Sequence, residues 1–248
     1  TERRARDLQT STSMLKIGPS SMSFDGERLT VDLNERSAPF RRAIKGKVIV
    51  DMPAVTNRCY TLHSAGQHRW WPIAPTARVK VSLDAPNVRW EGAGYVDTNG
   101  GTVALEDTFT DWHWSRADMG PENCRIVYEA HARDGETCLM TLFGGPKTGL
   151  ASEHSPPRRD LTAGPIWRVS RPARSHQGFN VEKTLEDTPF YTRSYLHDAS
   201  GNSVMHESLD LDRFAAPWVQ RLLPFRMRKI FYGLANAGDS RVTVPFSK

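Results

Sequence analysis

Long apolar runs are missing from this chain, and so is a cysteine framework. None of its 248 residues sits in an apolar stretch of the roughly 20 residues that a membrane-crossing helix requires, and the mean hydropathy is −0.53. Cys59, Cys124 and Cys138 are odd in number and lack CxxC spacing. They indicate neither a disulfide set nor a zinc site, and a reducing cytoplasm is the simpler setting. Strands do not alternate with long amphipathic helices, so a βαβ architecture is not expected. The opening residues lack the charged-then-apolar order of a signal segment, and the chain starts at Thr1 without Met. The formal charge of +5 comes without a nucleic-acid-binding motif. It therefore points to an anionic lipid surface rather than to nucleic acid.

Tryptophan, by contrast, is concentrated in one place. Gly66–Asp118 holds five of the seven tryptophans and two of the eight histidines. Within it, Arg78–Leu83 (RVKVSL) alternates polar and apolar residues as a half-buried strand does. Asp84-Ala85-Pro86-Asn87 supplies turn chemistry, and Val88–Val96 answers as a second strand. Side chains alternate along a strand, so Ala93, Tyr95 and Asp97 share a face. A carboxyl beside an aromatic wall is disfavoured as an anion and can remain a proton donor. Asp-Thr-Asn-Gly-Gly is also a good loop sequence, and on residue type alone the turn preferences favour Asp97 as the residue that opens it.

His68 and Trp70 are two apart and line one surface if Gln67–Trp71 is extended. An imidazole there could orient water or relay a proton, or simply be hydrogen-bonded in a loop before Pro72. Trp112 and Trp114 repeat the spacing, with His113 and Arg116 nearby. They suit packing, or a π face offered to a cation.

Short strands also fill the rest of the chain. Met22–Phe24, Arg28–Leu33 and Lys45–Met52 precede the tryptophan-rich stretch, with Asp25-Gly26 as a hairpin turn. Arg125–Arg133, Thr137–Phe143, Ile166–Ser170, Val181–Leu185, Phe190–His197 and Ser203–Leu211 follow it. Gly144–Thr162, including Pro156-Pro157-Arg158-Arg159, is expected to be a loop. Glu186-Asp187 before Pro189 reads as a turn rather than a catalytic pair. Phe214–Phe231 mixes aromatic, apolar and basic residues with Pro224 as a break, which suits a helix that either packs on a barrel or rests at a lipid interface.

The strings HRWWPIAP, GYVDTNGG, DWHWSRA, LEDTPFYTRS and LLPFRMRK, in that order, resemble the carotenoid 1,2-hydratase (hydroxyneurosporene synthase) family over most of the chain. The resemblance implies an all-β fold of two tandem lipocalin-like antiparallel β-barrels. The C-terminal part of the first would occupy residues 1–106, incomplete at its N-terminus, and the second, with a C-terminal helix, residues 107–248. It implies cofactor-independent addition of water to the terminal C1–C2 double bond of an acyclic carotenoid such as lycopene or neurosporene. Functional positions of the family map onto His68, Trp70, Tyr95 and Asp97. Relatives usually carry an acidic run after the aspartate, where this chain has Asn99-Gly100-Gly101-Thr102-Val103.

Protonating such an alkene at its less substituted carbon leaves a tertiary cation. The reaction therefore asks for a protonated carboxyl, aromatic faces and one controlled water. Asp97 is the expected proton donor, Tyr95 and Trp70 the wall, and His68 the group that handles water, with His68 and Tyr95 interchangeable in that task. Trp71, Trp112 and Trp114 are expected to bind substrate. No metal or organic cofactor is called for by ligand spacing. The expected partners are the carotenoid, water and membrane lipid, at the cytoplasmic side of the inner membrane. A non-catalytic isoprenoid carrier, or a cyclase or isomerase on the same fold, are the alternatives.

Overall fold

The computed structural model describes residues 3–37 and 40–223. These residues form antiparallel sheet with a few short helices, in two compact units. One unit comprises residues up to Ala54 together with Ala77–Tyr95; the other comprises Val55–Thr76 and Val96–Leu223.

The first unit is a meander of β1 (Leu8–Thr10), β2 (Met14–Ile17), β3 (Ser20–Phe24), β4 (Arg28–Arg36) and β5 (Ala43–Asp51), each paired with the next. Asp25 closes the β3–β4 hairpin: its carboxylate accepts the backbone N–H groups of Glu27 (3.1 Å) and Arg28 (2.7 Å), while Gly26 takes φ 110°. Leu29 then pairs with Val50 and Val31 with Val48. Val48 and Val50 pair in turn with Val81 and Val79 of the next strand. Period-2 alternation on every strand thus places the branched side chains on one face.

After the short β6 (Tyr60–Thr61), two long strands carry residues of both units: β7 (His68–Ala85) and β8 (Val88–Gly101). The turn expected at Asp84–Asn87 joins them. The loop expected after Asp97 is not there, because β8 continues to Gly101. Strand pairing with β7 overrides the turn preference of Asp-Thr-Asn-Gly-Gly.

The second unit adds helix α1 (Leu105–Thr108), then β9 (Phe109–Asp118), β10 (Cys124–Ala132), β11 (Thr137–Gly145), β12 (Gly149–Ser152), β13 (Arg158–Arg159), β14 (Ala173–Arg174), β15 (Phe179–Asp187), β16 (Tyr191–Asp198) and β17 (Ser203–Asp210). Its sheet runs β12-β11-β10-β9-β17-β16-β15, and β13 pairs with β14 apart from it. Gly144–Thr162 therefore contains two strands rather than one loop. Ile166–Ser170 is a turn followed by irregular chain, not a strand. Asp187 holds that turn through the backbone N–H of Ile166 at 2.6 Å, and Glu186-Asp187 ends β15, paired with Arg193 and Thr192, rather than forming the expected turn.

Cross-strand register gives this sheet two different faces. Trp114 lies opposite Tyr128, Trp112 opposite Ala130 and Leu209 opposite Trp112, which makes one face aromatic. Asp111 lies opposite His131, His113 opposite Glu129 and Ser208 opposite His113, which makes the other face polar. Helices α2 (Leu211–Ala215) and α3 (Pro217–Leu222) follow, broken at Ala216 because Pro217 opens a new helix. The remainder of the expected Phe214–Phe231 helix, from Pro224, lies outside the described residues.

Candidate active site

The start of β7 places His68 and Trp70 on one face and Trp71 on the other, as alternation requires. His68 is 2% and Trp70 0% exposed. Burying an indole leaves its N–H in need of an acceptor. Trp70 donates to Asp97 Oδ2 at 2.8 Å, across 27 residues of sequence. The pair therefore joins the two motifs that spacing alone had kept apart. Trp70 is more than a wall, because it holds the carboxyl at one oxygen.

Around the indole, Tyr60 and Tyr128 pack with ring centroids 5.5 and 5.0 Å away, and Trp112 lies 6.2 Å beyond Tyr128. Tyr128 comes from the aromatic face of the second sheet and is 2% exposed. Its phenol donates to Asn99 Oδ1 at 3.2 Å. Burial, and secondarily the negative charge of Asp97, push its ionisation above the ordinary phenol range, so it stays a neutral donor. The Tyr60 phenol is likewise raised by burial, and its buried hydroxyl has no hydrogen-bond partner among the described residues. Arg58 lies over the Tyr60 ring at 5.0 Å.

His68 is held from the other end of the same group of elements. Its Nε2 is 2.9 Å from Thr108 Oγ1, and its ring packs on Phe109 with centroids 5.0 Å apart. Burial, then the neighbouring His63, hold its pKa below the usual imidazole value, so it is neutral and keeps a lone pair. Gly101 explains how the ring fits. A Cβ at that position would lie 2.6 Å from His68 Nδ1 and 3.0 Å from the Gln67 carbonyl oxygen. The Gly-rich run after Asp97 is thus a close approach within a strand.

Trp70 and Asp97 come together in this arrangement, while His68, two residues before Trp70 on the same strand face, packs beside Gly101, Thr108 and Phe109. Tyr95 stands two residues before Asp97 on β8, half-buried and on the same strand face. Trp112 and Trp114 share the aromatic sheet face with Tyr128, Trp114 being buried. Trp71 is turned away from Trp70, and its indole N–H donates to the Thr56 carbonyl at 2.8 Å. Tyr60, Asn99, Thr108 and Tyr128 were not legible as site residues. Tyr128 had one signal, an aromatic with a hydroxyl in the middle of an alternating strand that must bury it.

Chemically, the site is a carboxyl held by an indole N–H, bordered by aromatic rings and accompanied by a neutral buried imidazole. That set can deliver a proton, face a cation with π electrons and accept a proton from water.

The sequence profile described as carotenoid hydratase CrtC matches residues 1–231. The acyclic carotenoid 1,2-hydratase of Thiocapsa roseopersicina is 42% identical over 93% of the chain, and that of Rubrivivax gelatinosus 38% identical over 92%. The chain spans 58% and 57% of the length of these two relatives. The acyclic carotenoid 1,2-hydratase of Cereibacter sphaeroides is 34% identical, with 92% of this chain and 82% of that protein covered. Among solved structures, an AttH-like protein of Nitrosomonas europaea superposes with a TM-score of 0.52 at 9% identity, covering 82% of this chain and 71% of the other. That likeness concerns the fold.

Proposed function

The chain belongs to the carotenoid hydratase CrtC family, and from that premise we propose that it adds water across the terminal C1–C2 double bond of an acyclic carotenoid such as lycopene or neurosporene. The observation that carries this reading is the hydrogen bond from Trp70 to Asp97 inside an aromatic cluster. Asp97 gives its proton to C2 of the alkene, and the π electrons form the new C–H bond. C1 is left as a tertiary cation. Because Oδ2 accepts the indole N–H, the transferable proton is carried on Oδ1.

Trp70, Tyr95 and Tyr128 present ring faces to the cation, each such contact worth about 0.5–2 kcal/mol when desolvated. Water then bonds to C1 through its oxygen, and neutral His68 accepts the proton released. Return of that proton to Asp97 restores the starting state. Trp112 and Trp114 line the path of the polyene, while Trp71 supports the strand through Thr56. The residues act without a metal or organic cofactor in this scheme.

The fold belongs to the same proposal. Two lipocalin-like barrels, residues 1–106 and 107–248, account for the change of sheet between β8 and β9. Among the described residues no helix is long and apolar enough to cross a membrane. The chain would meet its substrate at the cytoplasmic surface of the inner membrane, aided by its charge of +5.

The test is incubation of folded protein with neurosporene or lycopene in detergent or lipid, read by product mass. A gain of one water is expected, and Asp97→Asn should abolish it while the circular dichroism spectrum is unchanged, since an amide has no acidic proton to give. Recovery of unchanged substrate bound in stoichiometric amount would make the protein a carrier. A product of unchanged mass would make it a cyclase or isomerase.

A further inference from the structure

On the polar face of the second sheet, away from the aromatic face that carries Tyr128, three ligand-type side chains converge. Asp111 and His113 are two apart on β9 and so point the same way. His131 on β10 is the cross-strand partner of Asp111. Asp111 Oδ1 lies 3.0 Å from His113 Nε2 and 2.6 Å from His131 Nδ1. The three ligand atoms lie within 4.8 Å of one another. Two imidazole nitrogens thus aim at a single carboxylate oxygen.

The other atom of each of these groups is also held. His113 Nδ1 is 2.9 Å from Ser208 Oγ, which is 3.2 Å from His206 Nε2. His131 Nε2 is 3.4 Å from Glu129 Oε1, and Asp111 Oδ2 accepts the Thr110 hydroxyl at 2.9 Å. Glu129 is itself fixed by Arg174 through two contacts of 2.8 Å. A metal-binding histidine commonly gives its second N–H to a carboxylate or hydroxyl, which sets the tautomer and the ring plane. His113 meets that requirement through Ser208, and His131 Nε2 has Glu129 Oε1 and Arg158 Nη1 each at 3.4 Å.

We propose that Asp111, His113 and His131 form a binding site for one first-row divalent transition ion of the zinc type, clamping β9 to β10, with water completing the shell. Two nitrogens and one carboxylate oxygen suit zinc or cobalt better than the oxygen-seeking calcium or magnesium. On binding, the proton that each imidazole now gives to Asp111 moves to its other nitrogen. His131 then donates to Glu129 and His113 to Ser208, so no proton is lost from either ring. Asp111 and His131 are half-buried, which leaves an entry route from solvent.

The test uses the full chain stripped with a chelator and titrated with Co²⁺ alone, in a His63→Ala background that removes the second cluster, His63 with Asp134 and Glu136. The expected result is saturable visible absorption of nitrogen-bound cobalt at one equivalent, displaced by Zn²⁺ alone. Both His131→Ala and Asp111→Asn should abolish it. His131 is half-exposed, so its removal is tolerated, whereas that of buried His113 disrupts the packing of the sheet. Glu129→Gln should weaken the affinity about 10–100-fold, the usual cost of removing an outer partner. Absence of the band, or a band equally strong in His131→Ala, would overturn the site and leave these groups as a hydrogen-bond network only.

Discussion

Replacing Trp70 with Phe separates two roles that the indole combines. The phenyl ring keeps a π face between Tyr60 and Tyr128, whose centroids lie 5.5 and 5.0 Å from that of the indole. The substitution removes the N–H that reaches Asp97 Oδ2 at 2.8 Å. A hydrogen bond between neutral partners, as with a protonated carboxyl, contributes about 0.5–1.5 kcal/mol. If that energy serves to hold the carboxyl against the alkene, its loss lowers kcat roughly 2–13-fold, at about 1.4 kcal/mol per decade. Trp70 is fully buried, so the smaller ring also leaves a void and costs roughly 1–3 kcal/mol of stability.

The assay is initial-rate hydration of neurosporene in detergent, quantified chromatographically, beside a denaturant melt. Because Trp70 acts through Asp97, the Trp70→Phe, Asp97→Glu double variant, which keeps a displaced acid, should be no slower than Asp97→Glu alone. Full activity in Trp70→Phe would refute the positioning role. Additive losses in the double variant would refute the coupling.

Other predictions concern the surroundings of these two residues. In Gly101→Ala the new methyl meets His68 Nδ1 at 2.6 Å. Turnover should fall at least about tenfold with a smaller change in Tm, since small misplacements at a reacting centre carry large rate costs; an unchanged rate would show that the ring is not used where it stands. His206 is fully buried and pushed down to about 3 by burial and by the neighbouring charge of His113. The unfolded state therefore binds its proton first as pH falls from about 6.5. Between pH 7 and pH 5 the protein should lose roughly 2 kcal/mol of stability from this group. The buried, lowered His68 adds in the same direction. Urea melts at pH 7, 6 and 5 measure this, with a shallower dependence expected in His206→Gln, and a stability that rises toward pH 5 would contradict it. The lowered Asp111 titrates below the usual carboxylate range and does not enter that window.

The strands around the tryptophan-rich stretch were legible because alternation is a property of each strand by itself. Arg78–Leu83 and Val88–Val96 lie inside β7 and β8, and both extend farther than alternation indicated. Asp97 was misplaced in a turn on residue preference, because the pairing that keeps β8 extended through Gly101 involves a partner that preference does not consider. Ile166–Ser170 was misread in the opposite sense. Its apolar residues belong to a turn held by Asp187, 21 residues further on at Ile166.

By itself the sequence determined the antiparallel, strand-rich class, the shared faces of His68 with Trp70 and of Tyr95 with Asp97, and the family. Each follows from local alternation or from ordered strings of residues. Tertiary structure alone decided that Trp70 grips Asp97, that Tyr128 completes the aromatic wall and that Asp111 faces His131 across a ladder. Those three outcomes depend on register between strands. Register is set by packing and turn geometry over the whole sheet, and a shift of one residue would send every one of these side chains to the opposite face.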